Sequence, residues 1–124
     1  MLLGDFFHII DLENSNSESL IARIRFNKEH RIFKGHFPEF PVVPGVCMIQ
    51  LIKEILADFY KSPLFLSDGV NIKFLRFINP NIDDIVTVQA KTIEVSKGRM
   101  KTEASIFKDD DKFLKFKGIF LKES

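Results

Sequence analysis

Gly35-His36-Phe37-Pro38-Glu39-Phe40-Pro41-Val42-Val43-Pro44-Gly45-Val46 leads from a histidine, through three prolines, into a long apolar segment, and the chain is organised around that junction. Between Phe33 and Pro44, Pro38, Pro41, Pro44 and Gly35 exclude both helix and strand. The stretch is expected to be an ordered loop, because Phe33, Phe37, Phe40, Val42 and Val43 are too apolar to be left in water. Pro44 stands where helices accept proline, in the first turn. From Val46 to Tyr60 the residues follow the helical period, with Met48, Leu51, Ile52, Ile55, Leu56 and Phe59 on one broad apolar face that Val46 and Ile49 extend. Polar residues are confined to a narrow stripe of Gln50, Lys53, Glu54, Asp58 and Lys61. A helix over about Val46 to Phe59 that is this apolar is wrapped on most sides. The loop sets His36 eight residues before the Pro44-Gly45 pair, over the helix N-terminus, where backbone N–H groups point outward and favour negative charge. A base beside an anion hole is the minimal equipment for chemistry next to a carbonyl.

The elements on either side of the helix are strands. Leu20, Ala22, Ile24 and Phe26 alternate onto one face upstream. Asn27 to Lys34 reads as a charged connection. After Ser62-Pro63, strand candidates run over Gly69 to Phe77, Ile85 to Val95, Arg99 to Phe107 and Lys112 to Leu121. Ser96-Lys97-Gly98 and Asp109-Asp110-Asp111 supply hairpin turns between the last three. One helix and a run of antiparallel strands make an α+β domain, with residues 1–124 as a single unit whose sheet curls round the helix. The other sheet face is then exposed unless the protein oligomerises.

The chain has 124 residues, a formal net charge of +1 and interspersed charges. No basic block and no aromatic-basic interleaving supports a nucleic-acid partner. Lys28, Arg31, Lys34, Lys73 and Arg76 flank the histidine motif or the strand expected near it; they read as solvated surface or as a weakly basic patch for an acidic protein. No apolar run reaches the ~20 residues of a membrane span. The first residues, Met1-Leu2-Leu3-Gly4-Asp5, do not read as a signal peptide. One cysteine, Cys47, rules out an internal disulfide, and a cytoplasmic setting is expected. Aromatic usage is skewed to 14 Phe against one Tyr and no Trp, which suits either a Phe-filled core or an apolar slot for a lipid-like substrate. His8, His30 and His36 share no metal spacing, and neither a metal nor another cofactor is expected. Cys47 beside a helix start is either a nucleophile or a small buried apolar side chain.

The Gly35–Val46 segment resembles the active-site signature of the β-hydroxyacyl-acyl carrier protein dehydratases: His-Phe-Pro, then Pro-Val, then Pro-Gly-Val. Lys73-Phe74-Leu75-Arg76-Phe77-Ile78-Asn79-Pro80 is similar to the strand and following loop of that family. The resemblance implies a hot-dog fold, a curved antiparallel sheet wrapped around one long central helix. It implies loss of water from a 3-hydroxyacyl thioester carried on acyl carrier protein or coenzyme A. His36 would remove the proton next to the thioester carbonyl, and the Gly45 amide would hold the oxyanion. Phe37, Pro38, Val43, Pro44, Val46 and Phe74 would contact the acyl chain. An unusual backbone at His36-Phe37, even a cis bond, is also implied. The family builds its site across a dimer, so a homodimer or higher oligomer is expected.

One position departs from that pattern. The family's acid, Glu or Asp, lies fourteen residues after the histidine, and position 50 here is Gln. An amide donates a hydrogen bond but delivers no proton, and a well-placed general acid is worth ~10²–10⁴ in rate. Glu54, one turn on, is an alternative acid that would act through a water. Gln50 also reads simply as a polar member of the wet stripe, and His36 as a structural histidine. Four readings follow: a working dehydratase, a catalytically impaired partner in a heteromer with a second dehydratase-like subunit, a hot-dog acyl-thioesterase, and a non-catalytic acyl-binding module. The intact His36 and Pro-Gly helix start argue against the binding module, Gln50 argues against a fast dehydratase, and the dehydratase is placed first with the partner subunit second.

Overall fold

The computed structural model describes residues 1–14, 16, 18–35 and 39–123. His36, Phe37 and Pro38 lie outside the described residues, and with them the expected base, two acyl contacts and the backbone at His36-Phe37. Six strands form one sheet: β1 (Phe7–Asn14), β2 (Ser19–Phe26), β3 (Leu64–Phe74), β4 (Ile85–Ser96), β5 (Arg99–Lys108) and β6 (Asp111–Lys122). Their spatial order is β1-β2-β4-β5-β6-β3, and every neighbouring pair is antiparallel. Two helices, α1 (Arg31–Gly35) and α2 (Gly45–Tyr60), lie between β2 and β3 in sequence. The long helix thus runs one residue beyond each expected end. It stops at Lys61, which turns into the left-handed region at φ 53° and donates its N–H to the Ala57 carbonyl.

The inner sheet face and α2 share one core. Alternation buries Leu20, Ala22, Ile24 and Phe26 on β2. Across the sheet, Leu20 lies beside Ala90, Ala90 beside Ala104, Ala104 beside Phe116 and Phe116 beside Ile72. Alanines occupy this row in β4 and β5, and phenylalanines fill the β6 side, which with β3 lies nearest the helix. Phe116 and Phe120 stack there with centroids 5.6 Å apart. Met48, Leu51, Ile52, Ile55 and Leu56 are the helical half of this core. Full burial of one such side chain is worth about 1.5–3 kcal/mol, so the apolar face rather than intrinsic propensity fixes α2.

Four sequence expectations change. β1 is a strand the alternation did not reveal: a register shift between Ile9 and Asp11 breaks the two-residue period, and only Phe7 of the strand is buried. β3 starts at Leu64 rather than Gly69 and ends at Phe74 rather than Phe77; shifts at Leu66/Asp68 and Gly69/Asn71 interrupt its pattern. Arg31–Gly35 is a short helix, not irregular connection, with buried Phe33 stacked on Phe6 at 5.2 Å. Phe40 is 73% exposed instead of buried. The loop is anchored by buried Pro41 and Val43 instead, and the Val43 N–H donates to the Ile78 carbonyl at 2.9 Å.

Candidate functional site at the start of the long helix

An open, mostly apolar cavity of about 570 Å³ lies at the N-terminus of α2. Val42, Val43 and Pro44 from the loop, Gly45 and Met48 from the helix, and Phe74, Leu75, Arg76 and Phe77 from the end of β3 line it. Backbone bonds fix these walls. Val43 is tied to Ile78, and the Leu75 N–H donates to the Phe113 carbonyl at 2.8 Å. At the rim, Arg76 pairs with Asp111 at 2.6 Å, which holds the segment after β3 against the start of β6. Gly45 is required by contact rather than by φ. A Cβ there would sit 2.8 Å from Cε1 and 2.9 Å from Cζ of Phe74, so the ring rests directly on the helix start.

The helix start is polar only through its backbone. Pro44 occupies the cap position with no side-chain cap, and the first turn holds no acidic residue. The first amide bonds of the helix run from Cys47 and Met48 to the Pro44 carbonyl. Among the described residues, the Gly45 and Val46 amides meet no acceptor. An apolar slot that ends at outward-pointing N–H groups suits a ligand with an apolar chain and an oxygen that gains negative charge.

Four of the expected site residues, Val43, Pro44, Gly45 and Phe74, come together in this cavity. Val46 does not line it and is 76% exposed. Gln50 lies two residues beyond Met48, about 200° round the helix at 100° per residue, on the side away from the cavity. It is half-buried, and its Nε2 donates to Glu54 Oε2 at 2.8 Å. Glu54 is only 4% exposed. Its carboxylate also accepts the Leu2 N–H at 3.0 Å and the Leu3 N–H at 2.8 Å. Three N–H donors thus converge on Glu54, and it fastens the N-terminal turn to α2.

The sequence reading did not single out Met48, Leu75, Arg76 or Phe77 as cavity residues. Met48 was legible as i+3 from Gly45, on the same helix face. The other three follow β3 in a stretch whose pairing no short pattern reveals. Two other reactive side chains, Cys47 and His30, do not line the cavity. Burial raises the Cys47 thiol above its usual pKa, which keeps it neutral and unreactive. His30 is buried, accepts the Ile32 N–H on Nδ1 at 3.1 Å and meets Asp5 through Nε2 at 3.1 Å. Those partners assign the Nε2–H tautomer. Among the described residues, no group of His, Cys, Asp or Glu could hold a metal ion, and no helix is long and apolar enough to cross a membrane.

Comparison with known proteins agrees with this geometry. Residues 12–116 match the ApeI-like family, described as ApeI dehydratase. The 3-hydroxyacyl-acyl-carrier-protein dehydratase FabZ of Coxiella burnetii is 30% identical over 112 residues, covering 82% of this chain and 76% of the relative. Among solved structures, the dehydratase heterocomplex ApeI:P from Xenorhabdus doucetiae aligns with a TM-score of 0.68 at 18% identity, over 91% of this chain and 96% of that one. A hypothetical thioesterase with coenzyme A from Streptococcus pneumoniae aligns at 0.65 and 10% identity, over 95% and 86%. At such identities the structural likeness establishes the fold, which is the hot-dog fold.

Proposed function

The chain belongs to the ApeI-like dehydratase family, and we propose that it removes water from 3-hydroxyacyl thioesters held on acyl carrier protein or coenzyme A, in fatty-acid or specialised lipid synthesis. The observation that carries this reading is the apolar cavity that ends at the uncapped amide of Gly45. The acyl chain lies between Val43, Met48, Phe74 and Phe77, and the thioester oxygen faces the helix start. His36 removes the proton from C2. The electron pair forms the C2–C3 double bond as the C3–O bond breaks. Negative charge on the thioester oxygen is stabilised by the Gly45 N–H, the kind of donor worth ~10²–10³ in rate. Gln50 has no proton to give, so the imidazolium formed at His36 returns its proton to the departing hydroxyl, and water leaves.

The site is completed by a second subunit in this reading. Val46, Phe74 and Phe77 leave apolar surface around the cavity mouth, and Gln50 points away from the cavity that its own helix starts. A second reading has specific support: the structural neighbour ApeI:P is a dehydratase heterocomplex. This chain would then lend His36 to a partner subunit that carries the acid.

Hydration of a crotonyl thioester, the reverse reaction, tests the proposal. The wild-type chain alone is expected to add water above background, and His36→Ala to abolish it. Hydration only after a second dehydratase-like subunit is added supports the heteromer. Hydrolysis of the thioester without hydration would sink both readings and leave a thioesterase, with Glu54→Gln as the variant to assay next.

A further inference from the structure

The outer face of the sheet, opposite the helix, carries a shallow hollow of about 450 Å³. Lys73, Lys91, Lys112, Lys115 and Lys117 surround a floor that includes Ser105, and Glu103 is the one acid among the lining residues. Two successive rows build the face. One runs Gln89, Ser105, Lys115, Lys73 and the next Lys91, Glu103, Lys117, Asn71, both in the strand order β4-β5-β6-β3.

The face gathers unpaired cations in one place. Elsewhere Arg23, Arg25, Arg76, Arg99, Lys34, Lys61 and Lys108 have carboxylate partners. Lys28, Arg31, Lys53, Lys97 and Lys101 have none within ion-pair distance among the described residues, but only the hollow sets several such cations round one floor. On the hollow only Lys117 is paired, with Glu103 at 3.3 Å. Lys73, Lys91, Lys112 and Lys115 have no carboxylate within ion-pair distance among the described residues. Lys73 and Lys115 also stand directly opposite each other on β3 and β6. Like charges in that relation destabilise a sheet. A local rule broken without compensation inside the fold points to compensation from outside it.

We propose that this face docks an acidic polypeptide surface. The unpaired cations stand on β4, β6 and β3, the outer two separated by roughly 14 Å at the usual strand spacing, too far apart to converge on one phosphate. A helix bearing carboxylates at i and i+4 repeats charge every 5–6 Å or so and matches the spread. Lysines act as separate point charges rather than as bidentate forks, which suits scattered carboxylates better than planar recognition of a single group. The hollow lies on the opposite face of the sheet from α2, so docking there leaves the acyl cavity free.

The probe is a fluorescein-labelled, glutamate-rich helical peptide of about 20 residues with Glu at every i and i+4. Anisotropy should show binding that weakens about tenfold or more between about 50 and about 300 mM salt. The triple variant Lys91→Gln, Lys112→Gln, Lys115→Gln should lose about tenfold in affinity. It should melt no lower than wild type and hydrate the crotonyl thioester at the unchanged rate. Lys28→Gln, Lys53→Gln, Lys97→Gln, elsewhere on the surface, should bind as wild type. Equal losses in the two triple variants, no binding at low salt, or tighter binding to duplex RNA or to phosphatidylglycerol vesicles than to the peptide would each overturn the proposal. Because the docking readout uses no substrate, it stands or falls separately from the dehydratase reading.

Discussion

Glu54 is the residue where charge and architecture meet. It is buried on α2, and its carboxylate accepts from the Leu2 and Leu3 amides and the Gln50 side chain. Glu54→Ala would leave three donors without that acceptor and is expected to cost about 2–4 kcal/mol. Urea denaturation checks this through a lower midpoint at unchanged slope. A loss under about 0.5 kcal/mol would mean that the N-terminal turn is not held there. The sequence placed Glu54 and Gln50 together on one stripe, but not the two backbone amides from the far end of the chain that meet them. Contacts between residues 52 and 51 positions apart leave no mark in a local pattern.

At the scale of elements, the contact between α2 and β3 sets the cavity. Gly45 is the helix residue that lets the Phe74 ring lie over the helix start. Gly45→Ala must shift the Phe74 ring, which lines the cavity. It is expected to lower the rate of crotonyl-thioester hydration about tenfold or more, since a small misplacement of the substrate costs that much or more. The stability change should be small, because Phe74 is already half in solvent. An unchanged rate in Gly45→Ala would show that the chemistry does not happen at this helix start. The helix itself was readable almost to the residue, because its apolar face spans four turns without interruption. β1 and the bounds of β3 were not, because a bulged edge strand loses the alternation on which a strand reading depends. The cavity was half legible: the loop and helix side came from the proline motif, and the Leu75–Phe77 wall emerged only with the pairing of β3 and β6.

For the whole molecule, one edge of β3 has no neighbour in the sheet among the described residues, and exposed Val70 and Phe74 lie along it, with Phe77 just beyond at 82% exposure. A free edge with apolar residues invites pairing with a second sheet. Light scattering at micromolar concentration is expected to show a dimer. A monomer would contradict the view that two subunits complete the site.

In the proposed function the chain carries a dehydratase site at which only the proton donor is missing, and Gln50→Glu supplies one. The side chains are nearly isosteric, so the new carboxyl takes the place of the amide, whose nitrogen stands 2.8 Å from Glu54 Oε2. The rate of crotonyl-thioester hydration is then predicted to rise about tenfold or more, within the ~10²–10⁴ worth of a general acid, and His36→Ala in the same background to erase the gain. An unchanged rate in a correctly folded Gln50→Glu protein, or a gain that survives His36→Ala, would contradict it.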